Sequence, residues 1–210
     1  MAELVRERVL ERSRGVMGPM AGHIARVAAR LFAARGFDAT SVREIVEAAG
    51  VTKPTLYYHF GSKEGLAQAL LTVPMTRLVA ETRTLLEEPG GDAVGAVAAM
   101  IEAQFAFCRE DPDRARFVYA GFFGPLGSGL SAELARFGTD LTGLWSGASA
   151  RLVGDGWIEP ARSEACAASL RGLIAVYTMD YLYRGVELGP GLGRSLVDDL
   201  LRGFGTRERC

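Results

Sequence analysis

Between Lys53 and His59 the chain carries an ammonium, a hydroxyl, two phenols and an imidazole: Lys53, Thr55, Tyr57, Tyr58 and His59. Such groups exchange hydrogen bonds and stack, but their setting does not favour covalent chemistry. His23 and His59 are the only histidines, and neither pairs with Cys108, Cys166 or Cys210 at a metal-ligand or nucleophile spacing. No pair of carboxylates recurs at a spacing suited to a reaction. An enzyme is not expected, nor a cofactor, nor a metal site. The run Gly124-Pro125-Leu126-Gly127-Ser128-Gly129 invites comparison with a phosphate loop, but no Gly-Lys-Ser/Thr follows and no strand flanks it, so it is expected to be a flexible connection. The polar-aromatic cluster suits binding instead. A helix fits the major groove of DNA, where each base pair presents a distinct pattern of donors and acceptors.

The elements that would position the cluster are legible on either side of it. Ser41 suits a helix N-cap, and Glu44 three residues on completes a capping box. Val42, Ile45, Val46 and Ala49 then form one apolar stripe at i, i+3, i+4 and i+7. Gly50 can end that helix in the left-handed conformation. Thr52 can cap the next helix, with Pro54 in its first turn, where a missing N–H costs little. Leu56 and Phe60, at i and i+4, face back to the core, and Gly61 ends the helix. The result is a helix-turn-helix. A preceding helix, with Ile24, Val27, Ala28, Leu31 and Phe32 inward and Gly36 as its stop, supplies the third member.

This stretch resembles the tetracycline-repressor (TetR) family of bacterial transcription factors. The likeness rests on Ala33-Ala34-Arg35-Gly36-Phe37, Thr40-Ser41-Val42-Arg43-Glu44-Ile45, Ala48-Ala49-Gly50-Val51 and Thr55-Leu56-Tyr57-Tyr58-His59-Phe60-Gly61-Ser62-Lys63, within a region from near Met20 to near Leu70. The resemblance implies that the helix Thr52–Phe60 enters the major groove. Arg43 then matches a position that reads a base edge, its fork suited to guanine O6 and N7. Lys53, Pro54 and Thr55 match base-contacting positions at the start of the recognition helix. For Lys53 a phosphate is as suitable a target as a base, and Pro54 and the Thr55 methyl suit a thymine methyl. Tyr58 matches a position packing on bases or sugars, and Tyr57 and His59 match phosphate contacts. Ser41 and Lys63 match phosphate contacts at helix starts, where unpaired N–H groups favour an anion. Thr52 joins the DNA-contacting set. The bland alternatives are a solvated Arg43, a Tyr57 partly in the core and a lone surface His59.

Bulk properties agree with that reading. The 210 residues suit one large domain or two small ones, with 49% hydrophobic and 23% charged residues. A chain of this length buries roughly 70% of its unfolded surface without a metal or disulfide. The net charge of −1 divides unevenly: 10 basic against 7 acidic residues over 1–70, and 14 against 18 over 71–210. The positive end is the one expected at phosphate. Three widely spaced cysteines suit reduced thiols, and neither a signal peptide nor a membrane span is expected, so the expected location is the cytoplasm.

The expected fold class is all-α with about nine helices: an N-terminal three-helix helix-turn-helix domain plus a larger helical ligand-binding and dimerisation domain. The expected organisation is an arm over 1–19, the DNA-binding domain over 20–70 and a regulatory domain over 71–210. The arm, with Arg6, Arg8, Arg12 and Arg14 among three glutamates, is either a solvated tail or a basic extension reaching a minor groove. Pro74 lies inside a long helical pattern that starts at Ser62, and is expected to kink or split it, as a static bend or as a hinge. Further helices are expected over 92–110, 113–123, 130–152, 159–186 and 192–204.

One short recognition helix touches few bases, so a homodimer on a palindromic operator is expected. The resemblance places its interface on the last two helices, about 161–187 and 191–204. Leu170, Leu173, Ile174, Tyr177, Tyr181, Leu192, Leu196 and Leu200 are the apolar rows available, either to a partner or within one subunit. The resemblance also implies a small-molecule effector that moves the two DNA heads through the long linking helix. Candidate pocket residues are Met100, Phe105, Phe107, Phe117, Tyr119, Phe122, Phe123, Trp145, Tyr177 and Tyr181, with Asp180 and Arg184 as polar groups, and plain core is the competing reading. A repressor released by an apolar or amphipathic ligand is expected; an activator or a ligand-independent regulator is the alternative.

Overall fold

A computed structural model describes residues 17–123 and 130–204. The expected arm, save its last three residues, and the glycine run from Gly124 to Gly129 lie outside the described residues. Nine α-helices are present among those described: α1 (Pro19–Arg35), α2 (Val42–Ala49), α3 (Lys53–Phe60), α4 (Lys63–Glu87), α5 (Ala93–Glu110), α6 (Pro112–Phe123), α7 (Ser131–Gly154), α8 (Ser163–Arg184) and α9 (Leu192–Phe204). A short 3-10 turn, Pro160–Arg162, leads into α8. No strand occurs among the described residues, and no helix there is long and apolar enough to cross a membrane.

Local chemistry accounts for the boundaries. The Ser41 hydroxyl accepts from the Glu44 amide at 3.2 Å while the Glu44 carboxylate accepts from the Ser41 amide at 2.8 Å, a complete capping box. Thr52 caps α3 by accepting from the Thr55 amide at 3.3 Å. Asp92 and Asp111 do the same for α5 and α6, accepting from the Gly95 and Arg114 amides at 2.7 and 3.0 Å. α4 runs 25 residues with Pro74 inside it, so the chain does not split there. The proline removes one backbone hydrogen bond. Buried Leu71 and Met75 flank it and give the helix tertiary support.

The chain forms two compact units: one runs through Thr76 and adds Asp111–Ala135, the other joins Arg77–Glu110 to Arg136 onward. The first unit thus joins α1 to α3 and the start of α4 with α6 and the start of α7, far along the chain. The reason is packing of distant segments. Phe117 of α6 stands 5.2 Å from Phe32 of α1, ring centre to ring centre, and Phe37 lies 5.3 Å from Phe32 on another side. Ile24, Ala28, Ile45, Leu56, Leu66 and Phe60 complete this first core. Within the same unit Glu133 of α7 accepts from Gln68 and Thr72 of α4 at 3.2 and 2.8 Å.

The second unit buries Met100, Ile101, Phe105, Trp145, Leu152, Leu170 and Val197. Here α9 lies close against α5. The Gly193 amide donates to Glu102 at 2.8 Å, and a Cβ on Gly193 would stand 2.7 Å from the Ala98 carbonyl, so only glycine permits this approach. Arg151 of α7 donates to the carbonyls of Leu86, Glu88 and Gly91, and Asp155 accepts from the Ala93 amide at 3.0 Å. The turn between α4 and α5 is thereby held.

Candidate nucleic-acid interface

The turn joining α2 to α3 sets where the outward residues stand. Gly50 takes the left-handed conformation (φ 64°, ψ 31°) that ends α2. Its amide donates to the Glu47 carbonyl at 3.3 Å, and the Val51 amide donates to the Val46 carbonyl at 3.0 Å. A third tie comes from α1: His23 Nε2 lies 2.9 Å from the Ala49 carbonyl. A carbonyl oxygen only accepts, so Nε2 carries the hydrogen. Leu56 and Phe60 then anchor α3 to the core, 0% and 5% exposed.

The opposite face of α3 is left to solvent. Tyr58 is 74% exposed and Tyr57 46%, so Tyr57 is not a core residue. Lys53 and Pro54 are exposed, and Thr55 and His59 are half-buried. The Thr55 and Thr52 hydroxyls lie 2.8 Å apart, sharing one hydrogen bond. His59 meets Tyr58 edge to face at 5.1 Å.

Besides Thr52 and Thr55, three more of the residues expected at DNA have partners in the protein. Ser41 is engaged in the capping box, its hydroxyl donating to Glu44 at 2.8 Å. Arg43 Nε donates to Glu47 at 2.7 Å. The Glu47 hydrogen bond and then its charge raise the Arg43 guanidinium further above its ordinary value, so it stays a cation. Lys63 Nζ donates to the Phe37 and Thr40 carbonyls, both at 3.0 Å, and sits 4.2 Å from the centre of the Phe37 ring. An ammonium has three donors. Lys63 therefore braces the loop between α1 and α2 with two of them and keeps a third.

The expected pocket residues are divided between the two units. Phe117 and Tyr119 are buried in the first, with Phe122 half-buried 6.3 Å from Tyr119. The Phe123 side chain is outside the described residues. Met100, Phe105, Phe107 and Trp145 are buried in the second unit, and Tyr177, half-buried, lies 6.3 Å from Phe105. Tyr181 is also half-buried. Asp180 and Arg184 pair at 3.0 Å, but the Arg184 side chain is 77% exposed. Two groups that sequence reasoning missed lie in this unit. The hydroxyls of Thr82 and Thr178 are fully buried and have no hydrogen-bond partner among the described residues.

A capped helix-turn-helix with an outward polar-aromatic second helix, in an all-helical chain, defines a DNA-binding regulator of transcription. Known proteins make the class more definite. The pattern described as bacterial regulatory proteins, tetR family, matches residues 24–70. The uncharacterized HTH-type transcriptional regulator YdgC of Bacillus subtilis is 31% identical over 186 residues, covering 85% of this chain and 89% of that protein. The HTH-type transcriptional repressor KstR2 of Mycobacterium tuberculosis is 36% identical over 78 residues, which is 37% of this chain and 39% of that protein. The solved structure of the ketosteroid transcriptional regulator KstR2 of Mycobacterium tuberculosis shares the fold at a TM-score of 0.76 and 20% identity, covering 92% of this chain and 98% of that one. This chain belongs to the TetR family of helix-turn-helix transcriptional regulators. Its relatives are regulators, and it is not an enzyme.

Proposed function

We propose that the chain is a homodimeric repressor that acts in the cytoplasm on a palindromic operator and leaves it when a small apolar or amphipathic molecule binds. The observation that carries this reading is the free face of α3, with Lys53, Pro54, Tyr57 and Tyr58 exposed while Leu56 and Phe60 hold the helix to the core. Lys53, Pro54 and Thr55 meet bases or the first phosphate, Tyr58 packs on a base or sugar, and Tyr57 and His59 meet phosphates. Arg43 reads a base edge from α2, Ser41 and Thr52 bring helix starts to the backbone, and the third donor of Lys63 reaches a phosphate. A base-edge contact carries sequence information and a phosphate contact carries affinity.

Two copies are needed because one such face reads few base pairs. Half-sites then lie about 34–36 Å apart, or a multiple of that. Leu170, Ile174, Leu196 and Leu200 are consumed inside the protomer, whereas Val176 and Tyr183, seven residues apart on α8, are 59% and 57% exposed. These two, with Ala168 and Gly172 on the same side, form the apolar face open to a second copy. The ligand reading draws support from the Thr82 and Thr178 hydroxyls, since a buried polar group without a partner requires an explanation and a bound polar atom would satisfy it. Release requires that the ligand bind one head spacing more tightly than the other.

The test is to sequence genomic fragments captured by the purified full chain. A shared palindrome bound by two protomers is expected, and its neighbouring genes indicate the effector's chemistry. A monomeric chain, or one holding no duplex better than random competitor at moderate salt, overturns the proposal.

A further inference from the structure

Arg43 and Glu47 stand one turn apart on the outer side of α2. Nε of Arg43 donates to Oε1 of Glu47 at 2.7 Å, although the two side chains are 76% and 60% exposed. The acidic residue beside it, Glu44, is occupied by the Ser41 cap and by Arg35 at 2.8 Å, which explains its presence structurally. Among the described residues, Arg43 is the one side chain that pairs with the Glu47 carboxylate. An exposed i, i+4 pair adds little stability. A carboxylate beside an incoming phosphate backbone also repels it. Neither stability nor affinity therefore accounts for Glu47.

Geometry does. A guanidinium offers two different forks, one made by Nε with a terminal nitrogen and one made by the two terminal nitrogens. A carboxylate on Nε closes the first and leaves the second, a pair of donors suited to the O6 and N7 acceptors of guanine. The same bond narrows the range of Arg43 rotamers before DNA arrives, so less side-chain freedom is lost on binding. We propose that Glu47 is a positioning residue for Arg43. It presents the terminal fork to a single base, and its charge lowers affinity for all duplexes alike, a loss that the fork offsets only at the cognate base. This inference rests on the reading of Arg43 as a base contact. Specificity is a difference between affinities, and a repulsive group that weakens the wrong complexes raises it as surely as a new contact does.

The test is selection from a randomised duplex library by the full-length protein, run in parallel for Arg43→Ala, Glu47→Ala, Glu47→Gln and the Arg43/Glu47 double alanine variant. Both side chains are exposed, and circular dichroism should confirm that every variant keeps its helix content. Arg43→Ala is expected to flatten the preference at one base position by roughly 5- to 150-fold. Glu47→Ala should reduce preference at that same position by roughly two- to fivefold while tightening binding to random competitor. It should change that position no further once Arg43 is alanine. Glu47→Gln, whose amide oxygen still accepts from Nε, should recover most of the discrimination. An unchanged profile in Glu47→Ala, or an equal shift at all positions, overturns the proposal. So does a lost preference at a different position, which would mark direct reading of a cytosine amine by the carboxylate. If Arg43→Ala flattens no position, the base-reading role of Arg43 itself falls, and the positioning role falls with it.

Discussion

Lys63 shows how one side chain divides between fold and function. The proposed function gives it a phosphate contact, yet its ammonium holds the Phe37 and Thr40 carbonyls and covers the Phe37 ring. Hydrogen bonds from a charged donor contribute about 1.5–3 kcal/mol each when well shielded. These are partly exposed, so Lys63→Ala is expected to lower the unfolding free energy by about 1–2 kcal/mol in total. Denaturant titration measures this. Loss of a phosphate contact would also lower the salt slope of operator binding by about 0.9. Fallen stability with an unchanged slope would assign Lys63 wholly to the fold. The buried thiols teach the opposite lesson. Burial pushes the Cys166 thiol up, the Ser149 hydrogen bond only partly opposing it, so no reactive thiolate is set up there.

At the scale of the element, the start of α2 depends on a carboxylate. The Ser41 amide, then the Ser41 hydroxyl, and then the Arg35 charge hold the Glu44 carboxyl below its usual range. A carboxyl lowered in the folded state stabilises the fold above its unfolded pKa, near pH 4.3 on average, and that contribution drains away as pH falls through the lower folded value. Amide-exchange protection of Ile45 to Ala49 should therefore fall in wild type between about pH 5 and pH 3. It should fall less in Glu44→Gln, which keeps the side-chain acceptor and loses the charge. Parallel curves for the two proteins would remove Glu44 from the account. Because α2 carries Arg43 and its end sets the turn into α3, the same acid range should weaken operator binding.

At the scale of the whole molecule, the proposed homodimer depends on the exposed apolar face of α8 at Val176 and Tyr183. Charging it should separate protomers while leaving each one folded. Val176→Glu with Tyr183→Glu is expected to yield monomers in sedimentation at micromolar concentration, with helix content retained and palindrome binding reduced by at least about tenfold, since a second half-site no longer contributes. A dimer that survives both changes would place the interface elsewhere. α4 and α7 each pass from one unit into the other, and each is held inside both units, by Glu133 in the first and by Arg151 in the second.

The capping box, the Thr52 cap, the Gly50 stop and the inward row of Ile24, Val27, Ala28 and Phe32 were legible because caps and helical periodicity are local properties, complete within a few residues of chain. Family membership was legible for the same reason, since the recognition helix is one short uninterrupted stretch. Other features came only from folding. The contacts from His23 to Ala49, from Lys63 to the Phe37 and Thr40 carbonyls and from Phe117 to Phe32 join segments separated by more than twenty residues, and no spacing rule reaches that far. The same limit held for the apolar rows of α8 and α9. Periodicity says that a face is apolar, while only the packed neighbours decide whether the subunit consumes it, as at Leu170 and Leu196, or leaves it open, as at Val176 and Tyr183.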